Sequence, residues 1–146
     1  MQYSPLKPAN LCLLFCFTAA FIGCEEQPRS ELTISGNVTL NGSPIPSGTI
    51  TFVDKHGEAQ TGGGVIKNGR YTAFVQPGEK SVLVLGNEPA GMEPELSGVP
   101  DSDLRPAYRK ITPDAYSAVQ TTELSANVIE PTQDLDFDLV GQRPVK

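Results

Sequence analysis

From Leu32 to Leu40 the chain alternates without interruption, with Leu32, Ile34, Gly36, Val38 and Leu40 on one side and Thr33, Ser35, Asn37 and Thr39 on the other. Successive side chains of an extended strand point to opposite faces, so this period of two specifies a half-buried strand. Asn41-Gly42 then turns the chain, as expected of a tight hairpin. The device repeats. Residues 48–53 (GTITFV) direct Ile50 and Phe52 inward and threonines outward; Lys67-Asn68-Gly69-Arg70 is a second hairpin-like turn, leading into residues 70–75 (RYTAFV); Gln76-Pro77-Gly78-Glu79 supplies a third. Residues 80–86 (KSVLVLG) are apolar on both faces, the pattern of a central strand, and residues 121–129 and 134–140 complete the set. A seventh strand is expected around Gly62-Gly63-Gly64, with a bulge or loop edge there because glycine weakens a strand interior. No stretch after Cys24 carries a helical stripe, and 13 prolines and 14 glycines are spread through the chain. Seven short strands punctuated by turns predict an all-β fold, a single seven-stranded antiparallel β-sandwich.

Ahead of this pattern the sequence has a different character. Residues 1–10 are polar with one cation, Lys7, and residues 11–22 (LCLLFCFTAAFI) contain only one polar residue, Thr18. A helix needs about 20 apolar residues to cross the hydrocarbon core, whereas a run of roughly 7–15 after a positive start fits a secretory signal. Phe21-Ile22-Gly23-Cys24 resembles a bacterial lipoprotein processing site: two apolar residues, a small one, then cysteine. The resemblance implies that residues 1–23 are a cleaved lipoprotein signal peptide and that Cys24 is the lipid attachment point. Residues 24–31 then form a lipidated cysteine with a polar tether, and the protein is exported and lipid-anchored to a bacterial membrane on its periplasmic or cell-surface side. An ordinary secretory signal with an incidental Cys24, and an uncleaved anchor, are the competing readings.

Cysteine usage agrees with this division. Cys12 and Cys16 would leave with the apolar run and Cys24 would be consumed by lipid, so the domain must hold together by burial alone, as one core. The formal net charge is −6, which disfavours nucleic acid and anionic lipid as partners. Membrane contact is therefore expected through the N-terminal acyl chains, at about 0.8 kcal/mol per buried CH₂.

Residues 34–52 (ISGNVTLNGSPIPSGTITF) resemble the opening of carboxypeptidase regulatory-like domains, also called transthyretin-like domains, which occur in many bacterial envelope lipoproteins. Lys67-Asn68-Gly69-Arg70-Tyr71 resembles the glycine-then-tyrosine hairpin of that family, Pro77-Gly78 its next turn, Pro106-Ala107-Tyr108 a recurring loop element and residues 135–139 (LDFDL) its last strand. Ser81 departs from the pattern, standing where the family often places an aromatic. The resemblance implies a carboxypeptidase regulatory-like β-sandwich, of Ig-like or prealbumin-like type, over 32–141 with a C-terminal tail at 142–146. Members stabilise, tether or bind, and bring no catalytic residues.

The residues that invite chemistry have simpler readings. Asp134, Asp136 and Asp138 share one strand face, successive carboxylates roughly 6–7 Å apart. Calcium takes six to eight oxygens, usually from a wrapping loop, so these are read as a solvated face that discourages edge pairing, and no metal is expected. His56 is the sole histidine, set in the turn Asp54-Lys55-His56-Gly57; it has no second histidine for a zinc site, and no Gly-x-Ser-x-Gly motif occurs. The glycines at 62–64 lack the Gly-Lys-Ser/Thr ending of a phosphate loop. No enzyme activity and no cofactor are expected.

Residues 87–120 are the segment this fold does not account for, with prolines at 89, 94, 100, 106 and 113. Structureless loops longer than about 12–15 residues are uncommon unless functional or disordered. Here Arg105, Tyr108, Arg109, Lys110 and Tyr116 place three cations and two tyrosines on an acidic chain, and are the candidate partner-binding residues for an envelope protein or an anionic glycan. The alternative is a loop that wraps the sandwich edge with Tyr108 buried as a plug. Two functions follow: a membrane-anchored, non-catalytic accessory or structural β-sandwich, or a glycan- or protein-binding module acting through 87–120.

Overall fold

The computed structural model describes residues 30–99 and 101–142. The signal segment 1–23, Cys24 with most of its tether, and all but the first residue of the 142–146 tail lie outside the described residues.

The chain is all-β. Its strands are β1 (Leu32–Leu40), β2 (Ser43–Pro44), β3 (Ser47–Asp54), β4 (Gly62–Lys67), β5 (Arg70–Val75), β6 (Gly78–Pro94), β7 (Leu104–Lys110), β8 (Ser125–Val128) and β9 (Phe137–Leu139), with one 3₁₀ turn at Asp114–Tyr116. They form one sheet of order β2-β1-β5-β4-β3-β6-β7, with β8 added to β6 and β9 to β1. The pairing is antiparallel except for β9, which runs parallel to β1. The sheet curls into a half-barrel. β2 and β7 are the strands beyond the seven read from sequence.

Turn chemistry sets the register. Asn41-Gly42 and Asn68-Gly69 carry φ values of 51° and 77°, and 50° and 79°, the left-handed pair that matches the twist of flanking strands. The residues that alternate in sequence alternate in space: Ile34, Val38, Leu40, Ile50, Phe52, Tyr71, Ala73, Val75, Val82 and Val84 are buried on one face. Phe52, Tyr71 and Phe137 form an aromatic triad with ring centroids 6.2 to 6.3 Å apart. Gly36 sits on the same face for a different reason. A Cβ there would stand 2.1 Å from the Leu135 carbonyl oxygen, so only glycine admits the segment before β9 against β1. That segment bonds β1 directly, Ser35 N donating to Thr132 O at 2.8 Å and Leu135 N to Ser35 O at 3.1 Å.

Three local expectations are corrected. The strand expected around residues 62–64 is present as β4 but without a bulge or loop edge: it is paired on both sides, Gly63 opposite Thr51 and Phe74, and ladder bonds from both neighbours outweigh the low strand preference of glycine. The strand expected over 121–129 shortens to β8, because the Thr122 hydroxyl donates to Val82 O at 2.7 Å and accepts from Leu124 N at 3.2 Å, holding a local turn in place of a ladder. Residues 87–120 are not a structureless loop, since β6 continues to Pro94 and β7 returns beside it.

The registers also define two poles. Leu32 lies level with Val75, Phe52 with Gly62 and Asp54 with Lys80, so the chain enters β1 at the pole that holds the β3–β4 loop and the β5–β6 turn. Asn37, Arg70, Lys67, Ser47, Asn87 and Lys110 line the other. β3 begins at Ser47, opposite Asn87, so beyond that residue β6 is paired with β7 alone. A two-stranded ribbon thus projects from the pole opposite the chain's entry.

Candidate functional site

The ribbon is amphipathic by register. Residues paired across an antiparallel ladder share a face, and neighbours along a strand alternate. Glu88 pairs with Arg109 and Glu93 with Arg105 on one face; Pro89 with Tyr108, Met92 with Pro106 and Pro94 with Leu104 on the other. A register shift between Pro89 and Met92, with Gly91 at φ 97°, keeps the two faces in phase along the ribbon.

The charged face is neutralised from within. Arg105 Nη2 lies 2.8 Å from Glu93 Oε1, and Arg109 donates to Glu88 Oε1 through both Nε and Nη2. At the ribbon's base the Lys110 ammonium donates to the Asp114 carboxylate and, at 2.7 Å, to Ser117 Oγ. The three cations read from sequence as a basic cluster therefore each hold a carboxylate of the same chain. Such exposed pairs contribute about 0–1 kcal/mol each, and mainly fix the ribbon's register.

The tyrosines part company. Tyr108 is 61% exposed on the apolar face, which corrects the buried-plug reading. Tyr116 belongs to the 3₁₀ turn and packs against the core; its hydroxyl donates to Val140 O at 3.0 Å and accepts from Val140 N at 3.1 Å, pinning the chain after β9. The five candidate residues thus do not converge: Arg105 and Arg109 share one ribbon face, Tyr108 occupies the other, Lys110 reaches back to the turn, and Tyr116 serves the fold.

Sequence reading missed the apolar face itself. Met92 is 58% and Leu104 60% exposed, and Pro89, Pro94 and Pro106 are exposed beside them. At the tip Leu96 and Val99 are exposed as well, within a turn held by Glu95 N to Asp103 O at 2.8 Å and Leu96 N to Ser102 Oγ at 2.9 Å. The signal was present as an alternation in residues 104–110 (LRPAYRK), masked by prolines that exclude a central strand but are tolerated at an edge.

A second polar constellation stands at the entry pole. Lys80 is fully buried, and its Nζ donates to Asp54 Oδ1 at 2.6 Å and to Pro77 O at 3.3 Å. The other Asp54 oxygen accepts from the amides of Glu58 at 2.9 Å and His56 at 3.2 Å, closing the β3–β4 loop. The Lys80 ammonium, followed by these amides, holds the Asp54 carboxyl far below the usual carboxylate range. The His56 imidazole lies outside this knot, its Nε2 3.9 Å from Glu79 Oε2 at the surface. The arrangement works as a lock, since the bonds of both ions tie β3, the loop after it and the start of β6 together.

The aspartates near the end of the chain join β1. Asp136 Oδ1 accepts from Asn37 N at 2.6 Å and Asn37 Nδ2 at 3.0 Å, and Asp138 Oδ1 accepts from Thr39 Oγ1 at 2.5 Å, whereas Asp134 precedes β9. Among the described residues no group of three or more His, Cys, Asp or Glu is placed to hold a metal ion, and no helix is long and apolar enough to cross a membrane.

The sequence matches no protein-family model and none of the curated proteins. Among solved structures, the 9R-lipoxygenase from Cyanothece PCC8801 is similar at a TM-score of 0.42 and 15% identity, over 78% of this chain and 17% of that one. The chain thus spans less than a fifth of that protein's length.

Proposed function

We propose that the chain is a bacterial envelope lipoprotein, anchored through acyl chains on Cys24, whose non-catalytic accessory domain presents the ribbon of β6 and β7 to a protein partner. In this reading the domain is a carboxypeptidase regulatory-like module. The half-barrel is then a variant of the Ig-like sandwich, folded at β1, whose first half pairs with β5 and whose second half pairs with β2 and β9.

The observation that carries the proposal is the placement of the ribbon. Six exposed apolar or proline side chains lie on one of its faces, at the pole opposite the point where a tether from Cys24 enters β1. A surface of this kind at the far end of an anchored domain faces away from the anchoring membrane, toward other envelope components. A protein is favoured over an anionic glycan because Arg105, Arg109 and Lys110 already hold carboxylates of the chain.

Metabolic labelling with an alkyne fatty acid in a bacterial host, followed by membrane fractionation, tests the anchor. Label on the parent chain and its loss in Cys24→Ser are expected. An unlabelled soluble product from the parent would sink the anchored reading.

A further inference from the structure

We infer that the outer face of the sheet, centred on β4 and β5, is a binding surface for an acidic polysaccharide, with Lys67 and Arg70 as the pair that receives its carboxylates. This surface is separate from the ribbon, and the inference depends neither on the ribbon nor on the anchor.

The registers place the face residue by residue. Thr72, Val65, Thr49 and Leu85 lie side by side across β5, β4, β3 and β6, and Phe74, Gly63 and Thr51 form the next row toward the entry pole. None of them carries a charge, and Val65, Phe74 and Leu85 are 58%, 55% and 41% exposed. From β1 to β6 each row covers about 19 Å of continuous sheet at the usual spacing between strands. The hydroxyls of Thr49, Thr51 and Thr72 are taken up by no described residue.

A third row supplies the charge. Lys67 and Arg70 close the Asn68-Gly69 hairpin directly opposite one another, and both are exposed. Like charges placed in this way repel. Lys80, Arg105, Arg109 and Lys110 each hold a carboxylate, whereas Lys67 and Arg70 hold none among the described residues. On a chain of net charge −6 they form a local basic point without a counter-ion. A carboxylate set between the two side chains converts their repulsion into charge-assisted hydrogen bonds.

The texture of the face selects the polymer. Thr49 stands between Val65 and Leu85, and Gly63 between Phe74 and Thr51, so apolar side chains are interleaved with hydroxyls and are not gathered into the apolar centre of a protein interface. Pressed against hydrocarbon, the threonine hydroxyls would lose water and gain no partner. Two cations are too few for a nucleic acid, which is held through many phosphates. A sugar ring has both textures: C–H faces for Phe74, Val65 and Leu85, hydroxyls for the threonines and, in a uronic acid, a carboxylate for Lys67 and Arg70.

Biolayer interferometry of the full-length chain in detergent, against immobilised oligogalacturonate, tests the surface. Saturable binding that weakens with salt is expected, with neutral cello-oligosaccharide and poly-glutamate bound far less. Lys67→Gln/Arg70→Gln should weaken binding by about tenfold, and Phe74→Ala by several-fold. Lys55→Glu makes the same change in net charge in the loop at the entry pole and should leave binding unchanged. Thr49→Glu, which sets an anion at the centre of the face, should abolish it while the circular dichroism of the fold is retained. A parent chain that does not bind, equal loss in Lys55→Glu, either comparison probe bound as well as oligogalacturonate, or undiminished binding by Phe74→Ala or Thr49→Glu overturns the inference.

Discussion

The Tyr71 hydroxyl donates a 2.7 Å hydrogen bond to the carbonyl oxygen of Leu135, a residue 64 positions further along the chain. Tyr71 opens β5 just after the Asn68-Gly69 turn, and Leu135 lies in the segment that runs alongside β1. One phenol thus holds the last strand against the sheet while its ring packs on Phe52 and Phe137. Tyr71→Phe keeps the ring and orphans a carbonyl, and is expected to lower stability by about 1–3 kcal/mol in urea unfolding. An unchanged midpoint would show that the hydroxyl carries nothing.

The same phenol sets the alkaline limit of the fold. Burial, with the Asp136 charge adding to it, pushes the Tyr71 hydroxyl well above the usual tyrosine range. A raised folded-state value means stability that is intact below the unfolded value of about 10 and is lost as pH climbs beyond it. Thermal unfolding followed from pH 8 to 11.5 should show a steeper decline above pH 10 for the parent than for Tyr71→Phe.

Asp54 sets the acid limit in the opposite sense. Its carboxyl is held far below the ordinary value by Lys80 and two amides. Its contribution is therefore complete above the unfolded value near 3.8 and declines only as pH falls toward strong acid. Asp54→Ala leaves the Lys80 ammonium buried without its carboxylate, whereas the double variant Asp54→Ala/Lys80→Met removes the stranded charge. The double variant is expected to be more stable than the single one in urea unfolding at neutral pH. The reverse order would contradict the lock described at the entry pole.

The aspartates of residues 134–138 are separable by position. Asp136 holds the Asn37 amide and side chain, and Asp136→Ala is expected to lower stability by about 1–2 kcal/mol. Asp134 precedes β9, and Asp134→Ala should stay within about 0.5 kcal/mol of the parent. Equal effects by chemical denaturation would mean that net charge, and not the bond to β1, is what these residues supply.

Much of the fold was legible because alternation and Asn-Gly turns are local signals. β1, β3 and β5 stand where the period of two puts them, and both Asn-Gly pairs adopt the left-handed angles that their chemistry favours. What escaped was non-local. β4 runs without a bulge because two neighbours complete its ladder, which no window around Gly62-Gly63-Gly64 contains. The ribbon was hidden by prolines whose edge position becomes known only when β6 and β7 pair. The candidate site shows the same division. Composition singled out Arg105, Tyr108, Arg109 and Lys110, but register decided that Arg105 and Arg109 face carboxylates on one side and Tyr108 faces outward with Met92 and Leu104 on the other.

The parallel pairing of β1 and β9 has a mechanical meaning. The chain enters β1 at one pole and leaves β9 at the other, with Val38 beside Phe137 and Leu40 beside Leu139. A pull on the entering segment against the departing one loads the bonds from Ser35–Thr132 to Asn41–Leu139 together, in shear, instead of peeling them open one at a time. The strands that meet last in sequence thus form a clamp across the domain, and a tug applied through its ends meets the fold along its most resistant direction.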